Sequence, residues 1–169
     1  MNGTKSLGPE PWLRGTHSQV PAVPRAVLHA LELAKEDLWK WCFALDDAQL
    51  NDRPRNITPV AFHLRHIARS VDRLLTYAEG RALDEDQLAL LTSELAPHGE
   101  HDELFAELEE AFESGERRVC KLASCDFEVK LSVGRKQLPT TIGGLLVHVA
   151  DHTQRHVGQA ITTAMLVKR

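Results

Sequence analysis

Four segments of this chain carry apolar residues at spacings that mostly alternate between three and four, and this pattern sharply narrows the folds available to it. The first stripe is Val27, Leu31, Ala34, Leu38, Trp41 and Leu45, and the second is Val60, Leu64, Ile67, Val71, Leu74 and Ala78. The third is Leu104, Leu108, Ala111, Phe112, Val119 and Leu122; the fourth begins Ile142, Leu145, Val149 and resumes at Ala160 and Thr163. On a helix of 3.6 residues per turn each set falls on one face, which must be buried against another element. Four long amphipathic helices in one chain predict an all-α fold, a four-helix bundle.

Punctuation between the stripes supports this division. Proline is well placed at a first helical position, so the first helix is expected to begin near Pro21 or Pro24. Its exit is marked by Asp46-Asp47 and by Asn51 to Pro54. Thr58 is placed to cap the second helix, with Pro59 at its first position and Ile57 stapling onto Phe62. Gly80 is a C-terminal stop. A third helix is expected over about Glu100 to Ala123, with Gly115 weakening its middle by about 1 kcal/mol relative to alanine. The polar link from Arg81 to Gly99, with room for a short helix around Glu85–Leu95, is longer than the turns joining antiparallel neighbours and admits a crossover. Phe127, Val129, Leu131 and Val133 alternate with polar residues before a Gly134-Arg135 turn and Lys136–Leu138, which predicts a small hairpin between helices three and four. Pro139-Thr140-Thr141 opens a last helix running to about Val167. Residues 1–20 lack periodicity and are expected to be a flexible or surface-lying arm, pinned by Trp12, ahead of a single domain over 21–169.

The bulk properties suit this picture. The 169 residues, 43% hydrophobic and 26% charged, match one globular domain. A net charge of −4 argues against a nucleic-acid surface. No apolar run approaches the roughly 20 residues that span a bilayer, and the N-terminus has no signal-peptide pattern. Cys42, Cys120 and Cys125 form no CxxC motif and fit a reducing cytoplasm.

The chemistry is expected in the last helix, where His148, His152 and His156 recur every four residues. His152 and His156 continue the stripe, at positions where a bundle helix normally carries leucine or valine. A buried imidazole needs a partner, and two rings one turn apart can share one metal ion. His148 lies at the edge of the stripe and reads as a hydrogen-bonding neighbour of the ligands. A third ligand is expected from a facing helix, with His63, His66, His29, Asp37 and Glu36 as candidates. Helical-wheel geometry slightly favours His63 over His66. The zinc-peptidase pattern is not met, because Thr153 stands where those enzymes place their glutamate base. Arg65, Arg69 and Arg73 form a row that reads more readily as a solvated, acid-paired face than as an anion site. Trp39, Trp41 and Phe62 read as core aromatics before they read as pocket walls.

The stretch His152-x-x-x-His156-Val157-Gly158-Gln159 resembles the C-terminal motif of the DinB/YfiT-like superfamily. Leu64-Arg65-His66-Ile67-Ala68-Arg69-Ser70 is similar to that family's second-helix motif, and Leu138-Pro139-Thr140-Thr141 to the approach to its last helix. The resemblance covers about residues 24–167. It implies an up-down-down-up bundle and a divalent metal held by three histidines, His66, His152 and His156, with water in an open position. The choice of His66 over His63 rests on the resemblance. Zinc or nickel is the expected ion, with iron and manganese as alternatives. Family activities include thiol S-transfer and a mycothiol-dependent isomerisation, and homodimers are common.

Three protein ligands plus water describe a catalytic site, whereas four describe a structural one. The leading expectation is therefore a metal-dependent S-transferase that moves a low-molecular-weight thiol onto an electrophilic small molecule. A metal-dependent hydrolase on the same ligands, a non-catalytic metal-binding stress-response protein and a bundle without metal are the other readings. No nucleic-acid or membrane partner is expected.

Overall fold

The computed structural model describes residues 8–94 and 99–168. Helices α1 (Ala22–Cys42), α2 (Asp47–Asn51), α3 (Val60–Ala78), α4 (Glu85–Ser93), α5 (His101–Leu122) and α6 (Ile142–Val167) are joined, between α5 and α6, by strands β1 (Lys130–Val133) and β2 (Leu138–Thr141). The four long helices are those the apolar stripes predict.

Side-chain contacts between helices give their directions. Gln154 donates to the Ala30 carbonyl and Lys168 to that of Trp41, so α1 and α6 run parallel. Arg69 pairs with Glu107 and Arg118 with Glu79, so α3 and α5 also run parallel. The rings of His66 and His152 meet, as do those of His63 and His156, so α3 and α6 are antiparallel. Lys35 reaches Glu109 while Phe43 packs on Phe105, which makes α1 and α5 antiparallel. The bundle is therefore up-down-down-up. Two successive parallel helices require a return crossover, and the α3–α5 link, which carries α4, provides it.

The core joins Leu28, Leu31 and Leu38 of α1, Leu64, Ile67 and Leu75 of α3, Leu104 and Leu108 of α5, and Leu146 and Val149 of α6. Gly115 is buried where α5 crosses α3 and α1. A Cβ there would stand 3.0 Å from Val71 Cγ1 and 3.4 Å from Leu31 Cδ1. Its cost in helix propensity is the condition for close approach. Gly115→Val is expected to overpack this crossing and destabilise the fold by about 1–3 kcal/mol, read as a lower denaturant midpoint; an unchanged midpoint would refute the close-packing account.

Several local expectations need correction. Leu45 and Leu50 are buried, but beyond α1, which ends at Cys42. The short α2 follows, closed by a capping box in which Asp46 accepts from Gln49 N and Gln49 reaches back to Asp46 N. Thr58 does not cap α3, because the helix begins one residue later than expected and Pro59 lies outside it in an extended conformation, φ −67° and ψ 158°. Pro59 is itself the cap, the helix starts at Val60, and Ile57 is exposed rather than stapled. Trp12 is 62% exposed and does not anchor the arm. Buried Pro11 and the pairs Arg14–Glu36 and His17–Glu32 hold residues 8–20 against α1. The Leu95 end of the expected short helix lies outside the described residues. A hairpin forms between α5 and α6, but its second strand is Leu138–Thr141 rather than Lys136–Leu138: the turn takes up Gly134–Gln137, Leu131 lies opposite Thr140, and Pro139 and Thr140 are in the strand rather than in the last helix. Phe127 and Val129 carbonyls accept from Gly143 and Ile142, and Thr141 Oγ1 accepts from Gly144 N, so strand and cap together start α6.

Candidate metal centre

Helix α6 packs between α1 and α3, so its buried arc is wide and is centred one residue beyond the expected stripe. Leu146, Val149, Thr153, Val157 and Ala160 occupy that centre. Gln154 flanks it toward α1, and His152 and His156 flank it toward α3. The two histidines are half-buried neighbours of the core rather than substitutes for core leucines. This corrects the stripe position but not the pairing: one turn apart, both rings face α3.

On α3, His66 meets them. Its Nε2 lies 2.9 Å from His152 Nε2, and its ring centroid 4.3 Å from that of His156. One nitrogen from each of His66, His152 and His156 lies within 4.8 Å of the others, the arrangement three ligands of one ion require. The other candidates are elsewhere. His29 bonds Thr16, Glu36 pairs with Arg14, and half-buried Asp37 is on α1. His148 is exposed at the rim, 5.3 Å from the His152 ring, with Asp151 4.0 Å away. His63, which the wheel favoured, is 4% exposed and places its Nδ1 3.1 Å from His156 Nδ1.

Glu94 carried no direct sequence signal of its own. It lies in the crossover, just beyond α4, where no periodicity marks it. It is buried, accepts from His66 Nδ1 at 2.8 Å, and pairs with Arg73. His66 and Arg73 are seven residues apart, on one face of α3, and a carboxylate between them answers both. That spacing was the available clue. The arginine row is paired with acids as expected, Arg69 and Arg65 with Glu107 and Arg73 with Glu94, but it is not a solvated face: all three side chains are largely buried. A cavity of about 270 Å³ between α3, α4 and α5 is lined in part by Arg69, Arg73 and Arg118 and contains none of the three histidines.

Phe62 stacks on His66, with ring centroids 5.3 Å apart and planes 12° apart, and so walls one side of the cluster. Trp39 is a core aromatic against Phe105, as first read.

Electrostatics leave the rings ready to bind a cation. Burial, helped by charge on His66, lowers the pKa of both His152 and His156 to about 4, so each presents a neutral ring at pH 7. Burial and His66 do the same for His63. Burial alone would raise the Glu94 pKa, but hydrogen bonds from His66 and Arg73 outweigh it and hold the carboxyl below its usual range. In the metal-free protein the depressed histidine values fix a pH window. The unfolded chain takes up protons below about pH 6.5, whereas the folded site resists them until about pH 4. The contribution is intact above pH 6.5 and is lost as pH falls toward 4. Metal-free protein should show a denaturant midpoint that falls between pH 7 and pH 4.5; a flat profile would contradict it.

Neutral imidazoles suit borderline divalent ions, and Glu94 behind His66 is the carboxylate support that metal-bound histidines commonly have. The residues thus fit a divalent metal. No helix among the described residues is long and apolar enough to cross a bilayer. No curated protein and no solved structure matches the chain. A family model described as DinB superfamily does match, over residues 30–160, which include α3, the crossover and the histidines of α6. With that span, this bundle topology and the histidine cluster between α3 and α6, the chain belongs to the DinB superfamily.

Proposed function

We propose that this protein is a divalent-metal enzyme in which His66, His152 and His156 hold zinc or nickel, and which transfers a low-molecular-weight thiol to an electrophilic small molecule. The observation that carries the reading is the cluster itself: one ring nitrogen from each of His66, His152 and His156 lies within 4.8 Å of the others, and His152 and His156 present neutral rings at pH 7. A bound divalent ion would supply a Lewis-acid centre that lowers a thiol's pKa and favours its thiolate form.

The chain's own residues do the rest. Glu94 fixes the His66 ring by accepting from Nδ1, which leaves Nε2 as the donor atom. Phe62 shields the face of that ring, and His152 and His156 are half-buried rather than sealed in the core. Hydrolysis on the same ligands calls for a general base. Glu94 is poorly suited to that task, since one oxygen is engaged by His66 Nδ1 and the other by Arg73, and its proton affinity is lowered. This favours thiol transfer over the hydrolase. The proposal includes a cytoplasmic setting, consistent with free Cys42, Cys120 and Cys125, and a homodimer.

The test is turnover of an electrophile such as a haloarene by zinc- or nickel-loaded protein with bacillithiol, mycothiol, coenzyme A or glutathione. Thiol-dependent loss of the electrophile, absent without metal, is expected. Full metal loading with no turnover for any thiol would overturn the transferase reading. A sedimentation measurement showing a monomer would remove the dimer.

A further inference from the structure

We infer that His63 is a positioning residue for the site: it is held in one tautomer as the acceptor that fixes the ring of His156. This rests on the reading of His156 as a metal ligand. His63 and His156 approach through like atoms, Nδ1 to Nδ1 at 3.1 Å, and such a contact needs one proton between the two nitrogens. If His156 presents Nε2 as its lone pair, its proton sits on Nδ1 and is donated to His63. His63 then accepts at Nδ1 and carries its own proton on Nε2.

His63 is suited to this by its surroundings. At 4% exposure it is the most buried histidine of the group, set on α3 between Val60 and Leu64 of the core face. The Phe62 ring lies edge-on to it, with centroids 5.4 Å apart. The cluster therefore has two supports of different charge. Anionic Glu94 stands behind His66, and a neutral imidazole stands behind His156. Removing such outer partners typically weakens metal binding by about 10–100-fold.

Two substitutions separate this role from simple packing. His63→Leu fills similar space without an acceptor, while the amide oxygen of His63→Asn can stand near the Nδ1 position. By competition with a chelating dye, His63→Leu should weaken zinc binding by about 10–100-fold, and His63→Asn should recover most of it. In zinc-loaded wild type, long-range ¹H–¹⁵N correlations should show His156 protonated at Nδ1 and His63 at Nε2. This readout requires no variant to fold. Wild-type affinity in His63→Leu, an equal loss in both variants, or His156 protonated at Nε2 would overturn the inference. His152→Ala serves as the control. If it binds zinc as tightly as wild type, the three-histidine reading itself has failed; if it loses zinc while His63→Leu does not, only the role of His63 has.

Discussion

Protein carrying His152→Ala, purified without chelator and dialysed against zinc or nickel, should hold essentially no metal by elemental analysis, whereas wild type holds one ion per chain. The expectation follows from position. His152 Nε2 lies 2.9 Å from His66 Nε2, at the contact between α6 and α3. Without it, two donors remain on different helices and the set no longer defines a site. His66→Ala and His156→Ala should act alike. His148→Ala should leave the metal content unchanged, because that ring is exposed at the rim. His152 is a half-buried neighbour of the core rather than part of it, so its loss should leave the fold intact, and circular dichroism should show wild-type helicity. Stoichiometric metal in His152→Ala would remove the foundation of the proposed function.

Glu94→Ala should produce the largest loss of stability among the substitutions discussed. It leaves Arg73, itself buried, without its counter-ion, and a buried charge stripped of its partner costs about 3–5 kcal/mol. For a domain of this size the melting temperature should fall by roughly 10 °C. The same change takes the acceptor from His66 Nδ1 and should weaken metal binding by about 10–100-fold. The two effects are separable. Replacing the pair together, Glu94→Leu with Arg73→Met, removes the unpaired charge and should restore most of the stability. It returns no acceptor to His66, so the metal affinity should stay low. Recovery of both properties in the double variant would show that Glu94 acts on the metal only through the stability of the fold.

Part of this organisation is legible in the chain itself, because its causes are local. Alternating three–four spacing reports a helix face, and a residue such as Gly80, at φ 73°, reports a stop. The pairing of His152 with His156 belongs to the same class, since one turn of helix places them together wherever α6 packs. The position of that pair relative to the core was not local. It depended on α6 having two neighbours, which moved the buried arc onto Thr153 and Val157. The start of α3 lies one residue beyond the predicted one, with Pro59 extended at ψ 158° just outside the helix.

His63 and His66 show the boundary most clearly. On a wheel they lie on the same flank of α3, and periodicity slightly favoured the one nearer the stripe. The antiparallel docking of α3 on α6 decides between them. Descending α3 while ascending α6 brings His66 to His152, and His63 to the far side of His156. The sequence by itself determined the helices, their buried faces and the turn-spaced histidine pair, because each of these is set by the covalent period of the backbone. Periodicity did not choose between the α3 histidines; the resemblance pointed to His66, and the tertiary structure brings that ring to the pair and stands a crossover residue, Glu94, behind it. Those contacts join positions 28 to 93 residues apart, and only the mutual packing of the helices brings them within reach of a hydrogen bond.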